Sequence, residues 1–265
     1  MKLKNALLCL FVLLSFWQCN SPQKEILQAT TPVLGVTSQK AMVVSAREEA
    51  SKIGSEIMQQ GGNAFDAMVA TEMALAVCYP NAGNLGGGGF MVYRTHKGEI
   101  GALDYREKAP LRAFKDMYLD QNNKYLQHKS KTGGLAVGVP GTIAGIFKAH
   151  QKFGSLPMQS ILRPVILLAK NGFKITEKQA KQFNDHRAVF KQVNQENSIF
   201  TKKFKVGDVF KNEALANTLQ QISDNGRKAF YQGDIAKTLV AFLQKNKSII
   251  SLKDLENYQA IWREP

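Results

Sequence analysis

The sequence predicts a mixed fold of the α/β (α+β) class. Three observations predict it: several segments have apolar residues at helical spacing, two short apolar runs flank a turn, and no repeat or low-complexity segment interrupts them. Hydrophobic residues make up 44% of the 265 residues and charged residues 21%. This is the balance of an ordinary globular protein that is long enough to bury a sizeable core.

A glycine-rich turn leads into the predicted hairpin. Residues 84–90 read Asn-Leu-Gly-Gly-Gly-Gly-Phe, and apolar runs predict strands over residues 90–94 and 100–105, joined by turn residues 95–98. A flexible linker does not fit, because Phe-Met-Val-Tyr follows directly. A phosphate loop does not fit either, because it would need Gly-Lys-Ser/Thr leading into a helix, and here Gly89 is followed by Phe90. Without Cβ atoms, the glycines can adopt backbone angles closed to other residues and admit a second backbone or a ligand.

A strand and two helices are predicted before this turn. Residues 41–45, Ala-Met-Val-Val-Ser, are typical of a buried strand, and an amphipathic helix then runs to Gly61. Asn63 is the predicted N-cap of the next helix, residues 64–77, with Asp66 three positions later in a capping box. This second helix is rich in Ala and Met and apolar on most sides, which predicts that it is buried.

The second half of the chain predicts one strand and several helices. Residues 133–142 are typical of a strand that enters a sharp turn, and helices are expected over residues 142–150, 160–171, 212–225 and 235–246. The sequence Gly-Val-Pro-Gly-Thr-Ile-Ala-Gly at residues 138–145 is similar to a dinucleotide fingerprint. Pro140 lies inside it and no acidic residue ends a following strand, so we interpret it as structural.

Charge, cysteines and histidines exclude several classes of function. The formal net charge is +14, but lysines recur along the whole chain without aromatic interleaving, so no nucleic-acid partner is predicted. Three cysteines, Cys9, Cys19 and Cys78, provide neither a disulfide framework nor a metal quartet. The four histidines have no metal-ligand spacing. The sequence therefore predicts no metal and no cofactor.

The N-terminus has the pattern of an export signal. Lys2 and Lys4 precede an apolar run over residues 6–17, which is too short to span a bilayer. We therefore predict a signal peptide over residues 1–18 and an exported, periplasmic protein.

Cys19 follows this signal at the position that a bacterial lipoprotein would acylate. Residues 16–18, Phe-Trp-Gln, depart from the Leu and small residues usual before such a cysteine, and no small-x-small cleavage site occurs nearby. The sequence favours lipidation of Cys19, which predicts a lipid anchor in the envelope membrane; simple secretion is the alternative. Residues 19–39 are polar enough for a tether, and residues 40–265 form the remaining domain.

Arg106 is the candidate binding residue. It lies one hairpin after the glycines, in Asp-Tyr-Arg-Glu-Lys-Ala-Pro at residues 104–110. A guanidinium can hold a carboxylate through two parallel hydrogen bonds. The alternative is a structural ion pair with Asp104 or Glu107.

Six short motifs lie at residues 60–67, 83–91, 104–110, 137–142, 230–233 and 254–258. In order and spacing they resemble the large subunit of the gamma-glutamyltranspeptidases (glutathione hydrolases). Each motif alone is weak, whereas the set is highly specific. The chain is therefore identified as the N-terminal portion of such a large subunit, with the resemblance covering residues 40–265.

This resemblance implies a four-layer αββα sandwich of the N-terminal-nucleophile hydrolases, of which the chain is an incomplete N-terminal part. In that family a precursor cleaves itself, and the new N-terminal threonine of the small subunit is the nucleophile. Backbone amides of a glycine pair form the oxyanion hole. The threonine lies in a Thr-Thr-His type motif, whereas Thr30-Thr31 is followed by Pro32 here. No catalytic residue is expected in this chain, and the small subunit is expected as its missing partner.

The resemblance also implies a substrate and a reaction. Arg106 would grip the α-carboxylate of a γ-glutamyl group, and the family transfers that group from glutathione or related amides to water or amino acids. The 265-residue chain is expected to be inactive alone. A cephalosporin acylase, a poly-gamma-glutamate depolymerase and a non-catalytic lipoprotein that binds γ-glutamyl compounds remain as alternatives.

Overall fold

A computed structural model describes residues 35–194 and 198–265. The chain divides into two units, Met1–Lys40 and Ala41–Pro265, and the elements below all belong to the second. The predicted signal peptide and Cys19 lie outside the described residues, as does most of the predicted tether. Within the described part, no helix is both long and apolar enough to cross a membrane.

Helices make up about half of the second unit. They are α1 Glu48–Gln59, α2 Ala64–Cys78, α3 Gln127–Lys131, α4 Thr142–Phe153, α5 Met158–Asn171, α6 Glu177–Asn194, α7 Glu213–Asn225, α8 Arg227–Tyr231, α9 Asp234–Lys245 and α10 Leu252–Glu256.

The strands form two small antiparallel sheets. They are β1 Phe90–Arg94, β2 Ile100–Asp104, β3 Phe173–Lys174, β4 Val209–Phe210 and β5 Ile261–Arg263. The larger sheet has the order β1-β2-β5, with Val92 opposite Ala102 and Ala102 opposite Arg263, and β3 pairs with β4. The predicted hairpin of β1 and β2 and the mixed fold class are therefore confirmed.

Helix α2 is the centre of the core. Its sequence is apolar on most sides, so it needs neighbours around most of its circumference. It packs against α1, α4 and α5. Met73 on α2 and Ile57 on α1 are fully buried, and burying such a side chain contributes about 1.5–3 kcal/mol.

The start of α2 has the predicted capping box. Asn63 Oδ1 accepts from the backbone N–H groups of Phe65 and Asp66, and Asp66 Oδ2 accepts from Asn63 N at 2.9 Å. The same Asp66 carboxylate is fully buried and accepts from Ser155 N and Ser155 Oγ. The cap therefore also fixes the loop that joins α4 to α5.

The two faces of the larger sheet differ. Met91 and Leu103 point to the helices and are buried. On the opposite face Phe90, Val92 and Ile100 are 60%, 73% and 64% exposed. The same face also carries Arg94, Asp104 and Arg263. An alternating strand normally shows polar residues on its solvent side, so the three exposed apolar side chains are unusual for a face open to solvent.

Two predicted strands are wrong. Residues 41–45 have no regular secondary structure, among the described residues no strand pairs with them, and Val44 is 82% exposed. Residues 133–142 begin with a 3₁₀ turn at Gly134–Ala136, and only Val139 makes a β-bridge, to Lys108. Gly133 has φ +88°, and Pro140 has no N–H to continue a ladder.

Candidate functional site

The glycine turn is tied to the start of α4. The side-chain oxygen of Asn84 accepts from Gly87 N at 2.8 Å and from Thr142 Oγ1 at 2.6 Å. The carbonyl oxygen of Gly87 accepts in return from the N–H groups of Gly141 and Thr142, at 2.7 and 3.1 Å. The turn and the beginning of α4 therefore form one hydrogen-bonded unit, and the buried Thr142 side chain has its partner within it.

The glycines are required for close approach rather than for unusual backbone angles. None of Gly86 to Gly89 has a positive φ. A Cβ atom on Gly88 would lie 2.6 Å from Tyr105 O and 2.7 Å from Glu107 N, and one on Gly89 would lie 2.8 Å from the Tyr105 ring. Only a backbone without side chains can pass so near to the segment that carries Arg106.

Tyr105 anchors this segment from the other side. Its ring packs so closely on α4 that a Cβ atom on Gly145 would lie 2.2 Å from the ring. The Tyr105 hydroxyl donates to both carboxylate oxygens of Glu72 on α2, at 3.3 and 3.1 Å. Burial raises the pKa of Glu72 to about 7, and the Tyr105 hydrogen bond lowers it in part. Glu72 and the close packing on α4 therefore fix the side chain of Tyr105, the residue that precedes Arg106.

Arg106 itself is exposed, and its backbone is held at both ends. Its N–H donates to Asp104 Oδ1 at 3.0 Å, and its carbonyl accepts from the Tyr258 hydroxyl at 2.7 Å. The guanidinium carbon lies 6.0 Å from the centre of the Phe90 ring. Within the part of the chain that the structure describes, no carboxylate lies within 4.0 Å of this guanidinium.

The alternative of a structural ion pair for Arg106 is not supported. Asp104 uses one oxygen for the backbone N–H of Arg106 and the other for Arg263 Nε, at 2.7 Å. These two hydrogen bonds, from Arg106 first and Arg263 second, hold the pKa of Asp104 below its usual value. Asp104 therefore orients the backbone of Arg106 and leaves its side chain available to a ligand.

The remaining candidate residues are inert or lie elsewhere. Cys78 is buried, and burial raises its pKa to about 11, so its thiol is protonated at neutral pH. Among residues 35–194 and 198–265, no group of three His, Cys, Asp or Glu side chains is placed to hold a metal ion. Cys19 lies outside the described residues.

The family model described as Gamma-glutamyltranspeptidase matches residues 50–265. The chain belongs to this family. It is 41% identical over 240 residues to the glutathione hydrolase proenzyme of Pseudomonas aeruginosa. The matched region covers 91% of this chain and 43% of that protein. The chain thus spans about two fifths of the length of the curated relatives it matches. The family resemblance inferred from the six motifs is confirmed.

Solved gamma-glutamyltranspeptidases share this fold. The Helicobacter pylori structure has a TM-score of 0.84 at 40% identity, with 87% of this chain and 67% of that chain covered. The Pseudomonas nitroreducens structure, a complex with L-DON, has a TM-score of 0.82 at 43% identity, and the match covers 86% of this chain and 68% of that chain. The predicted fold class, that of the N-terminal-nucleophile hydrolases, is therefore confirmed.

Sequence reasoning found Arg106 but missed the residues that orient it. Glu72 offered a signal, since it is the one carboxylate of α2 beyond the capping residue Asp66, in a helix otherwise rich in Ala and Met. Tyr258 lies in one of the six motifs, but no pattern indicated that its hydroxyl reaches Arg106, 152 residues away. The pairing of Asp104 with Arg263 depends on β5 lying beside β2, which is a tertiary contact.

Proposed function

We propose that this chain forms the γ-glutamyl-binding part of a gamma-glutamyl transferase and glutathione hydrolase. The observation that carries the proposal is the Arg106 guanidinium, which is exposed and has no carboxylate partner among the described residues, although its backbone is fixed. A planar guanidinium in a fixed place suits the α-carboxylate of a γ-glutamyl group, which it can bind with two hydrogen bonds.

The proposed reaction is acyl transfer. A threonine hydroxyl, supplied by the downstream half, attacks the γ-amide carbonyl, and the amine of the substrate leaves with a proton. Water or an amino acid then takes the γ-glutamyl group from the threonine. Arg106 contributes by holding the end of the acyl group that does not react, so that the carbonyl lies near the nucleophile.

The open sheet face supports a downstream partner half. Phe90, Val92 and Ile100 are largely exposed on one side of the β1-β2-β5 sheet. In a four-layer sandwich this side would face a second sheet, and an apolar surface is what such packing buries. The relatives are longer than this chain, as the proposal requires.

Turnover by the chain expressed together with the downstream half tests the proposal. We expect release of the amine from a γ-glutamyl anilide and from glutathione. Faster cleavage of a cephalosporin side chain or of poly-γ-glutamate would favour those relatives instead. Binding of γ-glutamyl compounds without any turnover would favour the non-catalytic lipoprotein.

We also propose export and a lipid anchor at Cys19, based on the signal pattern and on the position of this cysteine. Cys19→Ser should move the protein from the membrane to the soluble periplasmic fraction. Cys9→Ser, inside the apolar run, is the matched control and should leave fractionation unchanged. A Cys19→Ser protein that stays in the membrane fraction would show that the lipid anchor is absent.

A further inference from the structure

A cavity of 490 Å³ lies between α4, α8 and the segment that leads into β5. Its lining includes the apolar Ala144 and Phe147 and the polar Lys148, His150 and Arg227. The volume is within the range of about 300–1,000 Å³ that small-molecule sites occupy. The lining contains neither Arg106 nor the residues that orient it, although Arg227 bonds to the backbone of one of them, Tyr258.

Two cations in this lining have no acidic partner. Across the described ranges, neither Lys148 nor Arg227 lies within 4.0 Å of a carboxylate. Both are partly buried, and half-buried charges are less screened by salt than exposed ones. Because neither cation has a carboxylate nearby in the described ranges, the cavity has an excess of positive charge.

The hydrogen-bond acceptors of these two cations are backbone carbonyls. Lys148 Nζ donates to Ala260 O at 2.6 Å, and Arg227 donates to Tyr258 O. The Arg227 guanidinium also lies 4.4 Å from the centre of the Tyr231 ring. An ammonium has three N–H donors and a guanidinium five. Each side chain therefore has donors beyond the one hydrogen bond that it makes to the described residues.

His150 has partners of its own in the structure. Its Nε2 lies 2.8 Å from Leu156 O, and since a carbonyl only accepts, this nitrogen carries the hydrogen. A carboxylate oxygen of Asp66 lies 4.0 Å from the same nitrogen. The uncompensated charge of the cavity is therefore that of Lys148 and Arg227.

We propose that this cavity binds a small phosphate-type oxyanion between Lys148 and Arg227. Such an anion accepts several hydrogen bonds at once and neutralises both cations. The guanidinium offers a planar fork and the ammonium a mobile point charge, a combination suited to a tetrahedral anion. Ala144 and Phe147 give room and apolar contact for a small organic group attached to the phosphate.

Binding of inorganic phosphate to the full chain tests the proposal. Phosphate binding is measured by equilibrium dialysis with labelled phosphate, and the midpoint of thermal unfolding (Tm) is measured over the same phosphate concentrations. Sodium chloride keeps the ionic strength constant in both. The wild-type chain should show saturable binding and a saturable rise in Tm. Lys148→Gln and Arg227→Gln should each raise Kd at least about tenfold, because each removes charge-assisted hydrogen bonds.

Lys228→Gln is the matched control, because Lys228 neighbours Arg227, is exposed and does not line the cavity. It should keep the wild-type Kd. If Arg227→Gln fails to fold after losing its bond to Tyr258, Lys148→Gln decides alone. The proposal is overturned by an absence of saturable binding to the wild-type chain, by an equal loss in Lys228→Gln, or by binding to phosphatidylglycerol vesicles without binding to free phosphate.

Discussion

The guanidinium of Arg106 can be changed without disturbing the core, because the side chain is exposed and makes no ion pair with the described residues. In the chain joined to its downstream half, we expect Arg106→Ala to lower kcat/KM for a γ-glutamyl anilide about 30- to 150-fold. This corresponds to a loss of about 2–3 kcal/mol in charge-assisted hydrogen bonds. Arg106→Lys should also lower kcat/KM substantially, because an ammonium lacks the planar fork.

Two comparisons distinguish a substrate-binding role of Arg106 from a structural role in this experiment. Arg163→Ala removes the same charge from an exposed position on α5 and should leave kcat/KM unchanged. A substrate without the α-carboxylate should lose far less activity on Arg106→Ala, since the partner of the guanidinium is already gone. An equal loss with both substrates would show that Arg106 acts structurally.

Glu72 makes the stability of the chain depend on pH. Its pKa in the folded protein is about 7, against an ordinary value of 4.5, because burial disfavours the carboxylate. The folded state therefore binds this proton more tightly, so the contribution of Glu72 to stability is fully present below pH 4.5 and is lost as pH rises through about 7. The total loss is on the order of 3 kcal/mol.

Urea unfolding at pH 4.5 and pH 8 checks this dependence. Glu72→Gln cannot ionise, so its free energy of unfolding should change less between the two pH values than that of the wild type. Glu256→Gln changes an exposed glutamate on α10 and should keep the wild-type dependence. A wild-type dependence in Glu72→Gln would mean that another group is responsible.

The glycine turn contains a matched pair of positions. Gly88→Ala would place a Cβ atom 2.6 Å from Tyr105 O, whereas a Cβ atom on Gly86 has nothing within 4 Å. Neither glycine has a positive φ, so backbone angles favour neither variant. We expect Gly88→Ala to cost about 1–3 kcal/mol in stability and to raise KM for γ-glutamyl substrates by displacing Arg106. Gly86→Ala should stay within about 0.5 kcal/mol of wild type.

Unfolding in urea and steady-state kinetics of both variants, in the chain joined to its downstream half, measure these effects. Equal behaviour of the two variants would contradict the close-approach explanation. A stability loss in Gly88→Ala without a change in KM would show that the turn supports the fold but not the position of Arg106.

Elements defined by local chemistry could be predicted from the sequence. Asn63 and Asp66 identify the start of α2 because a capping box involves only two residues that lie three positions apart in the sequence. The hairpin of β1 and β2 is likewise defined by its turn, where Gly98 has φ +87°. Arg106, whose binding role stays a prediction, was singled out because it follows this hairpin directly and lies in one of the six motifs.

Elements that depend on distant partners could not be predicted. Residues 41–45 have strand composition, but a strand exists only when a neighbour takes its backbone hydrogen bonds. Helix α6, Glu177–Asn194, was not predicted because its polar sequence buries only Gln179, Ala180 and Phe183. The setting of Arg106 by Tyr258 likewise requires the folded chain.

The 265-residue chain by itself should be an inactive, associating protein. We expect no turnover of a γ-glutamyl anilide and no self-cleavage, because the chain contains no Thr-Thr-His motif. The exposed apolar sheet face should bind a hydrophobic dye and pair with other copies. Dye fluorescence and light scattering measure both, and turnover of the anilide by the pure chain would contradict the first expectation.

A charged residue on the sheet face tests the cause of association. Val92 is 73% exposed on β1, so Val92→Lys should lower dye binding and scattering. Val189→Lys introduces the same change at an exposed position of α6 and should leave both unchanged. A similar fall in the two variants would show that association comes from overall charge rather than from the sheet.

The order of the β1-β2-β5 sheet has a consequence for the growing chain on the ribosome. Asp104 of β2 bonds to Arg263 of β5, 159 residues later. At about 5–20 residues per second, synthesis of that interval takes roughly 8–32 s. During this time the nascent hairpin keeps an unpaired edge that can capture another strand. Molecular chaperones that cover this edge during translation should therefore raise the yield of correctly folded chain.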